Sequence, residues 1–136
     1  MLKYAATYDR VNVRSGHSCG KSFAVACLVL WWLYARKGLV ITTAPSWSSV
    51  EGIIWREISA LTSRALVPLP GRQLETERKI DNTWYAIGLS TNETGVFQGK
   101  HHPRLLVVVD EAAEVPENIH LAISTLATDP LNCVVM

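Results

Sequence analysis

The chain has 136 residues, of which 49% are hydrophobic and 18% are charged, and its formal net charge is +1. This length and composition describe one globular domain and exclude an intrinsically disordered chain. The nearly neutral charge predicts no broad electrostatic attraction to nucleic acid, so that any contact with DNA has to be local.

Cysteine usage and hydropathy restrict the class of protein further. The three cysteines show no C-x-x-C spacing, which argues against a disulfide framework or a structural zinc site and favours a reducing cytosol. Adjacent His101 and His102 lack a third ligand at a useful spacing, so we expect no metal site there. The most apolar stretch, residues 23–35, is shorter than the ~20 residues that cross a bilayer. No basic n-region and cleavage site precede it, so we expect no signal peptide.

Strand and helix patterns alternate along the chain, which predicts a mostly parallel sheet flanked by helices. The LLVVV run at residues 105–109 is typical of a strand at the buried centre of such a sheet. Polar residues 91–104 predict an exposed loop, and Ser48 or Ser49 is expected to cap the second long helix. In chain order, the predicted elements are a strand at 8–13, a helix at 21–36, a strand at 39–43, a helix at 50–61, extended pieces at 72–80 and 83–89, a strand at 105–109, a helix at 116–127 and a strand at 132–136.

A glycine-bearing loop lies between the first strand and the first long helix, where such loops hold phosphate. It is a variant of G-x-x-x-x-G-K-[ST], because a serine takes the place of the first glycine. Backbone N–H groups and the positive end of the helix face the anion there. Lys21 is expected to reach the β- and γ-phosphates of ATP, and the Ser22 hydroxyl is expected to bind Mg²⁺. The other interpretation is an ordinary helix start with a solvated lysine. The loop reads Ser15-Gly16-His17-Ser18-Cys19-Gly20-Lys21-Ser22.

Two acidic residues follow the LLVVV strand. An acid at the carboxyl end of a central parallel strand lies at the edge where open α/β sheets bind ligands. We expect Asp110 to hold magnesium through water and Glu111 to polarise the attacking water as a general base. A pair of helix-capping acids is the alternative, but the phosphate loop that comes before them in the chain favours the catalytic interpretation.

Other residues near these motifs carry two interpretations each. Arg14 either reaches the γ-phosphate and stabilises charge in the transition state, or closes the first strand as a solvated residue. The loop at residues 43–46 either contacts a nucleic-acid backbone or is a turn with a serine cap. Gln98 either senses the γ-phosphate or DNA, or is an ordinary loop residue. Among the tryptophans, core packing is favoured for those that fall at apolar helix positions, which are Trp31, Trp32 and Trp55.

Four segments together resemble the ATPase domain of tailed-phage terminase large subunits, the motors that move DNA into procapsids. They are VRSGHSCGKS, VITTAPSWSSVEGIIWREI, GVFQGKHHPRLLVVVDEAAEVPENI and LNCVVM. The resemblance implies an α/β, RecA-like P-loop NTPase core of the class with an additional catalytic glutamate. It also implies that Arg14 is a phosphate-loop arginine and that residues 43–46 form a DNA-contact loop.

The same resemblance implies partners and a location. They are double-stranded DNA, the terminase small subunit, the portal protein and a ring of identical subunits, in the cytoplasm of the bacterial host. The chain departs from the family in three places: few residues precede Val11, the family's coupling motif would follow the last strand, and no room is left for a nuclease domain. We therefore expect residues 1–136 to be a truncated ATPase domain. The alternatives are a fragment of a helicase-like nucleic-acid translocase and a non-catalytic prophage remnant.

Overall fold

A computed structural model of the chain describes residues 1–16, 19–91, 94–97 and 99–136. Its strands are β1 (Arg10–Val11), β2 (Leu39–Ala44), β3 (Arg72–Gln73), β4 (Glu77–Lys79), β5 (Tyr85–Ser90), β6 (Leu105–Val109) and β7 (Cys133–Val135). Its α-helices are α1 (Leu2–Ala5), α2 (Lys21–Trp31), α3 (Trp47–Ser49), α4 (Arg56–Ser63) and α5 (Glu117–Leu126). Two π-helical stretches extend them, Trp32–Arg36 after α2 and Val50–Trp55 between α3 and α4, and Thr94–Phe97 and Ala112–Glu114 are 3₁₀ turns.

The strands form one sheet with helices on both faces. Within the described residues the sheet has seven strands, in the order β1-β7-β6-β2-β5-β4-β3. The neighbouring strands β1, β7, β6, β2 and β5 pair in parallel. Strand β4 pairs antiparallel with both β5 and β3. The predicted α/β architecture with a mostly parallel sheet is confirmed. In the described ranges no helix combines the length and the apolar character that crossing a bilayer requires.

Strand β6 separates two hydrophobic cores, and all five of its residues are buried. Leu106 and Val108 pack on one face of the sheet with residues of α2 and the helix that contains α4. The other residues of the strand pack on the opposite face with α5. Alternate residues of a strand point to opposite faces, so an uninterrupted aliphatic run is what a strand covered by helices on both sides needs.

The helical tryptophans pack into the first core, as predicted. Trp32 and Trp55 are almost fully buried, and Trp31 is partly buried against the same core. The buried indoles keep a hydrogen-bond partner: Trp32 Nε1 donates to the carbonyl oxygen of Arg104 at 3.2 Å, and Trp55 Nε1 donates to the hydroxyl of Thr42 at 2.9 Å. Buried polar groups need such partners to avoid a desolvation cost, and these two bonds fix both helices to the sheet.

The first strand is shorter than predicted, and the second long helix begins earlier. Only Arg10–Val11 has strand geometry, although backbone hydrogen bonds to β7 and its flanks involve residues from Asp9 to Val13. The expectation that Ser48 or Ser49 caps the helix is wrong. Ser46 is the cap, because its side-chain oxygen accepts a hydrogen bond from the N–H of Ser49 at 3.1 Å. Ser46 adopts extended backbone geometry, as N-cap residues do.

The prediction of an exposed loop at residues 91–104 is wrong for Phe97. Phe97 is fully buried against α5 and the second core. A single aromatic residue in a polar loop gives no periodic signal, which is why the pattern missed it.

Gly88 on β5 allows the helix with Trp55 to lie close to the sheet. A β-carbon at residue 88 would lie 2.6 Å from Trp55 Nε1 and 2.6 Å from a methyl carbon of Val50. We predict that Gly88→Ala lowers the free energy of unfolding by about 1–3 kcal/mol, as over-packing does. Gly52→Ala is the matched control, because a β-carbon at the exposed Gly52 meets no atom within 4 Å. That change should stabilise by about 0.5–1 kcal/mol.

Urea unfolding of both variants measures the difference. Equal midpoints for Gly88→Ala and the wild type would contradict this close approach of helix and sheet.

Candidate functional site

The carboxyl ends of β1, β2 and β6 lie at the same edge of the sheet. Thr43 pairs with Val109 in the parallel register, and the N–H of Asp110 donates to the carbonyl oxygen of Thr43 at 3.0 Å. On the other side of β7, the N–H of Val13 donates to the carbonyl oxygen of Met136 at 2.7 Å. These bonds bring the loop after β1 and the acids after β6 to the edge where open α/β sheets bind ligands.

The loop after β1 ends at Gly20, which precedes the first residue of α2. Gly20 has a φ of 79°, in the left-handed region, where glycine carries no steric penalty. Its carbonyl oxygen accepts a hydrogen bond from the N–H of Ala24 at 3.0 Å, which starts the helix. The Cys19 thiol donates to the carbonyl oxygen of Gly16 at 3.0 Å. The first N–H groups of α2 have no partner within the helix and make this end electropositive.

Lys21 and Asp110 form an ion pair at the centre of this edge. The distance from Lys21 Nζ to Asp110 Oδ1 is 3.0 Å, and the two side chains are 34% and 10% exposed. The Asp110 carboxylate accepts a hydrogen bond from the lysine and raises its pKa above the ordinary value; partial burial opposes the rise, and the charges of Asp110 and Glu111 add to it. The pair therefore favours the charged form of Lys21 and joins the loop to the end of β6.

Glu111 adopts a backbone conformation that is unusual for a residue with a side chain. Its φ and ψ are 50° and 44°, in the left-handed region, which costs a non-glycine residue about 1–2 kcal/mol. Its N–H donates to Asp110 Oδ1 at 3.0 Å, and its carbonyl oxygen accepts from the N–H of Glu114 at 2.9 Å. The turn leaves the Glu111 side chain exposed beside the ion pair.

Two clefts share this edge of the sheet. The larger has a volume of about 830 Å³ and contains the ion pair, Arg14 and Glu111, together with an apolar wall. The wall is formed by Met1, Val13, Val25, Val135 and Met136. The smaller, of about 390 Å³, shares Lys21 and Asp110 with the larger and reaches Ser22 and Glu57. Volumes of this order, with a few polar groups converging on an apolar wall, are typical of small-molecule sites.

No protein-family model matches the sequence, and no curated protein is significantly similar to it. Solved structures do match. The large terminase of a thermophilic bacteriophage superimposes with a TM-score of 0.74 over 96% of this chain, at 12% identity. The ATPase domain of a Thermus phage large terminase matches with a TM-score of 0.55 over 99% of the chain, at 20% identity, and a variant of that domain with 0.57 over 93%, at 21% identity.

The chain has the fold of the large-terminase ATPase domain. The predicted RecA-like class is thereby confirmed, as is the resemblance at the level of the fold. The chain spans 34% of the first of these structures, and 63% and 57% of the Thermus phage ATPase domain and its variant.

On this large-terminase fold, the described members of the predicted site come together, except Cys19, which lines neither cleft. Ser15, Gly16, Lys21, Asp110 and Glu111 line both clefts, Arg14 lines the larger one, and Gly20 and Ser22 line the smaller one. His17, Ser18 and Gln98 lie outside the described residues. The neighbours of Gln98, which are Phe97 and Gly99, line a different cleft against α5.

The large-terminase fold also brings three residues to the site that the motifs did not predict. Glu57, at the start of α4, and Ile53, one helical turn before it, line the smaller cleft together with Phe23 of α2. Their spacing of four residues places Ile53 and Glu57 on one helix face. The sequence shows that spacing, but which face lies over the loop depends on how α4 packs against α2.

The left-handed conformation of Glu111 predicts that glycine is more favourable than alanine for stability at this residue, the opposite of the order within a helix. Glu111→Gly should be more stable than Glu111→Ala by about 1 kcal/mol, because glycine avoids the steric cost of this conformation. Ala60→Gly in the middle of α4 is the control and should be destabilising by about 1 kcal/mol. Chemical denaturation of the three variants measures both differences. A Glu111→Gly protein less stable than Glu111→Ala would show that residue 111 does not adopt this conformation in solution.

Proposed function

We propose that the chain is the ATP-binding and ATP-hydrolysing core of a phage terminase large subunit, the motor that packages double-stranded DNA into procapsids. The observation that carries the proposal is the Lys21–Asp110 pair, in which the lysine of a phosphate-type loop contacts the acid at the end of β6 at 3.0 Å. The fold is that of large-terminase ATPase domains, and this juxtaposition lies at the ligand-binding edge of such sheets.

The residues at this edge match the chemistry of a nucleoside triphosphate. The N-terminus of α2 and Lys21 supply positive charge for the phosphates. The apolar wall of the larger cleft is suited to a base, since it offers Met1, Val25 and Met136. Arg14 lines the same cleft, and we assign to it the neutralisation of charge that develops on the γ-phosphate.

The donor set also fits Mg²⁺. The ion prefers oxygen ligands and is usually held by one or two carboxylates together with substrate phosphates. Asp110 supplies a carboxylate and Ser22 a hydroxyl, and both line the smaller cleft. Mg²⁺ bound there would neutralise phosphate charge during the transfer.

In hydrolysis, Glu111 is the residue that acts on water. Its exposed carboxylate orients a water molecule for in-line attack on the γ-phosphorus and accepts a proton from it. A bond from the water oxygen to phosphorus forms, the bond from phosphorus to the β–γ bridging oxygen breaks, and ADP and phosphate result. Lys21 and Arg14 stabilise the charge on the phosphate oxygens during this step. The terminase small subunit, the portal protein and further copies of the chain in a ring are the partners that this role implies, in the host cytoplasm.

Two variants separate nucleotide binding from turnover. Lys21→Ala should weaken ATP binding at least about tenfold, because a charge-assisted contact to phosphate is lost. Glu111→Gln should bind ATP as the wild type does but hydrolyse it about 100-fold more slowly, as the loss of a general base predicts. Lys79→Ala on β4, an exposed lysine at the far side of the sheet, is the control and should change neither quantity.

Calorimetry with ATP and Mg²⁺, and release of phosphate, measure the two effects. Equal ATP affinity of Lys21→Ala and the wild type would show that the site is assigned wrongly. Binding without any hydrolysis by the wild type would favour the non-catalytic alternative.

Alkylation of Cys19 reports on the loop itself. Cys19 is exposed, whereas Cys133 is buried and its burial raises the pKa of the thiol to about 11. Since the thiolate is the reactive form, iodoacetamide should label Cys19 before Cys133. ATP with Mg²⁺ should slow the labelling of Cys19 and leave that of the half-buried Cys27 on α2 unchanged.

Mass spectrometry of tryptic peptides measures the labelling of each cysteine. At an ATP concentration that saturates the wild type but not Lys21→Ala, the protection should be lost in that variant. Equal protection of Cys19 in both proteins at this concentration would show that Lys21 does not bind the nucleotide.

A further inference from the structure

The two groups that the proposed function assigns to different ligands are bound to each other. Lys21, the phosphate-binding residue, contacts Asp110, the residue assigned to magnesium, at 3.0 Å. Asp110 is only 10% exposed, so water compensates little if its partner leaves. The backbone N–H of Glu111, the residue after Asp110, also donates to this carboxylate oxygen, at 3.0 Å.

A metal-free nucleotide satisfies only one half of this pair. Its phosphates attract Lys21, and the Asp110 carboxylate then lies unpaired next to another anion. Two further carboxylates line the smaller cleft, those of Glu111 and Glu57. Their negative charges repel the phosphate groups. The phosphate groups therefore gain the lysine but lie next to three carboxylates, one of which has lost its partner.

A free cation satisfies only the other half. It attracts Asp110, and the Lys21 ammonium group then lies next to a positive ion without its partner. A charge that loses its partner in a partly buried site is strongly unfavourable. A ligand that carries phosphate and cation together replaces both halves of the pair at once, because the phosphate takes the lysine and the cation takes the carboxylate.

We propose that the Lys21–Asp110 ion pair is a latch that selects a preformed magnesium–nucleotide complex over the free nucleotide and over the free cation. This inference rests on the proposed function and specifies the form of the ligand that the site accepts. Coupling between two ligands is reciprocal, so the latch disfavours each ligand alone and favours the two together.

Asp110→Asn opens the latch with almost no change in shape. ADP in the presence of EDTA is the probe. We expect this variant to bind metal-free ADP roughly threefold to tenfold more tightly than the wild type, the factor that a partly exposed ion pair supplies. Removal of any negative charge helps an anion to bind, so Glu111→Gln is the matched control: it removes a neighbouring carboxylate and keeps the pair. Its gain in affinity should be clearly smaller.

Lys21→Ala tests the latch from the other side and replaces the first test if Asp110→Asn does not fold. Without its lysine, Asp110 should bind Mg²⁺ alone more tightly than in the wild type, whereas the variant binds the magnesium–ATP complex more weakly. Calorimetric titration with MgCl₂ in the absence of nucleotide measures this effect.

The outcomes separate the latch from the proposed function. If the wild type binds the magnesium–ATP complex but Asp110→Asn and Glu111→Gln gain equal affinity for metal-free ADP, the latch is wrong and the nucleotide site stands. Unchanged Mg²⁺ affinity in Lys21→Ala also overturns the latch. If the wild type binds no magnesium–ATP complex at all, the proposed function fails as well.

Discussion

The site depends on the parallel register of four strands. β1, β7, β6 and β2 pair in this order, so that their carboxyl ends meet at one edge. The hydrogen bond from the N–H of Asp110 to the carbonyl oxygen of Thr43 holds Asp110 directly after the end of β6. A shift of β6 by one residue would exchange its two buried faces and move the acid away from Lys21. The two hydrophobic cores that hold β6 in register therefore also hold the geometry of the site.

Local stability and the proposed activity conflict at this edge. Glu111 lies in a left-handed conformation, and strained backbone of this kind persists only where the surrounding structure enforces it. The 3₁₀ turn at Ala112–Glu114 and the hydrogen bond to Asp110 enforce it here. The Lys21–Asp110 pair uses the same charges that a nucleotide with Mg²⁺ would need. Under the proposed function, nucleotide binding would exchange one set of ionic contacts for another, which would suit a site that also releases its product.

The sequence predicted most of the fold, because the strongest signals were local. The aliphatic run of β6 and the apolar helix that begins at Lys21 were located within a residue or two. Capping by Ser46, the burial of Phe97 and the approach of Glu57 to the loop depend on packing between distant segments, and periodicity does not report that. The motif residues came together because the phosphate loop and the acid after β6 are each tied to the end of a strand. Their chemical roles remain predictions, since a fold shared at 12% identity does not determine which ligand is bound.

A structure of the chain with a non-hydrolysable ATP analogue and Mg²⁺ tests the central claim most directly. We predict that the triphosphate lies between the loop at residues 14–22 and Asp110, and that Lys21 Nζ contacts a phosphate oxygen at more than about 4 Å from Asp110. A nucleotide bound in another cleft, or one that leaves the 3.0 Å contact between Lys21 and Asp110 intact, would contradict the account.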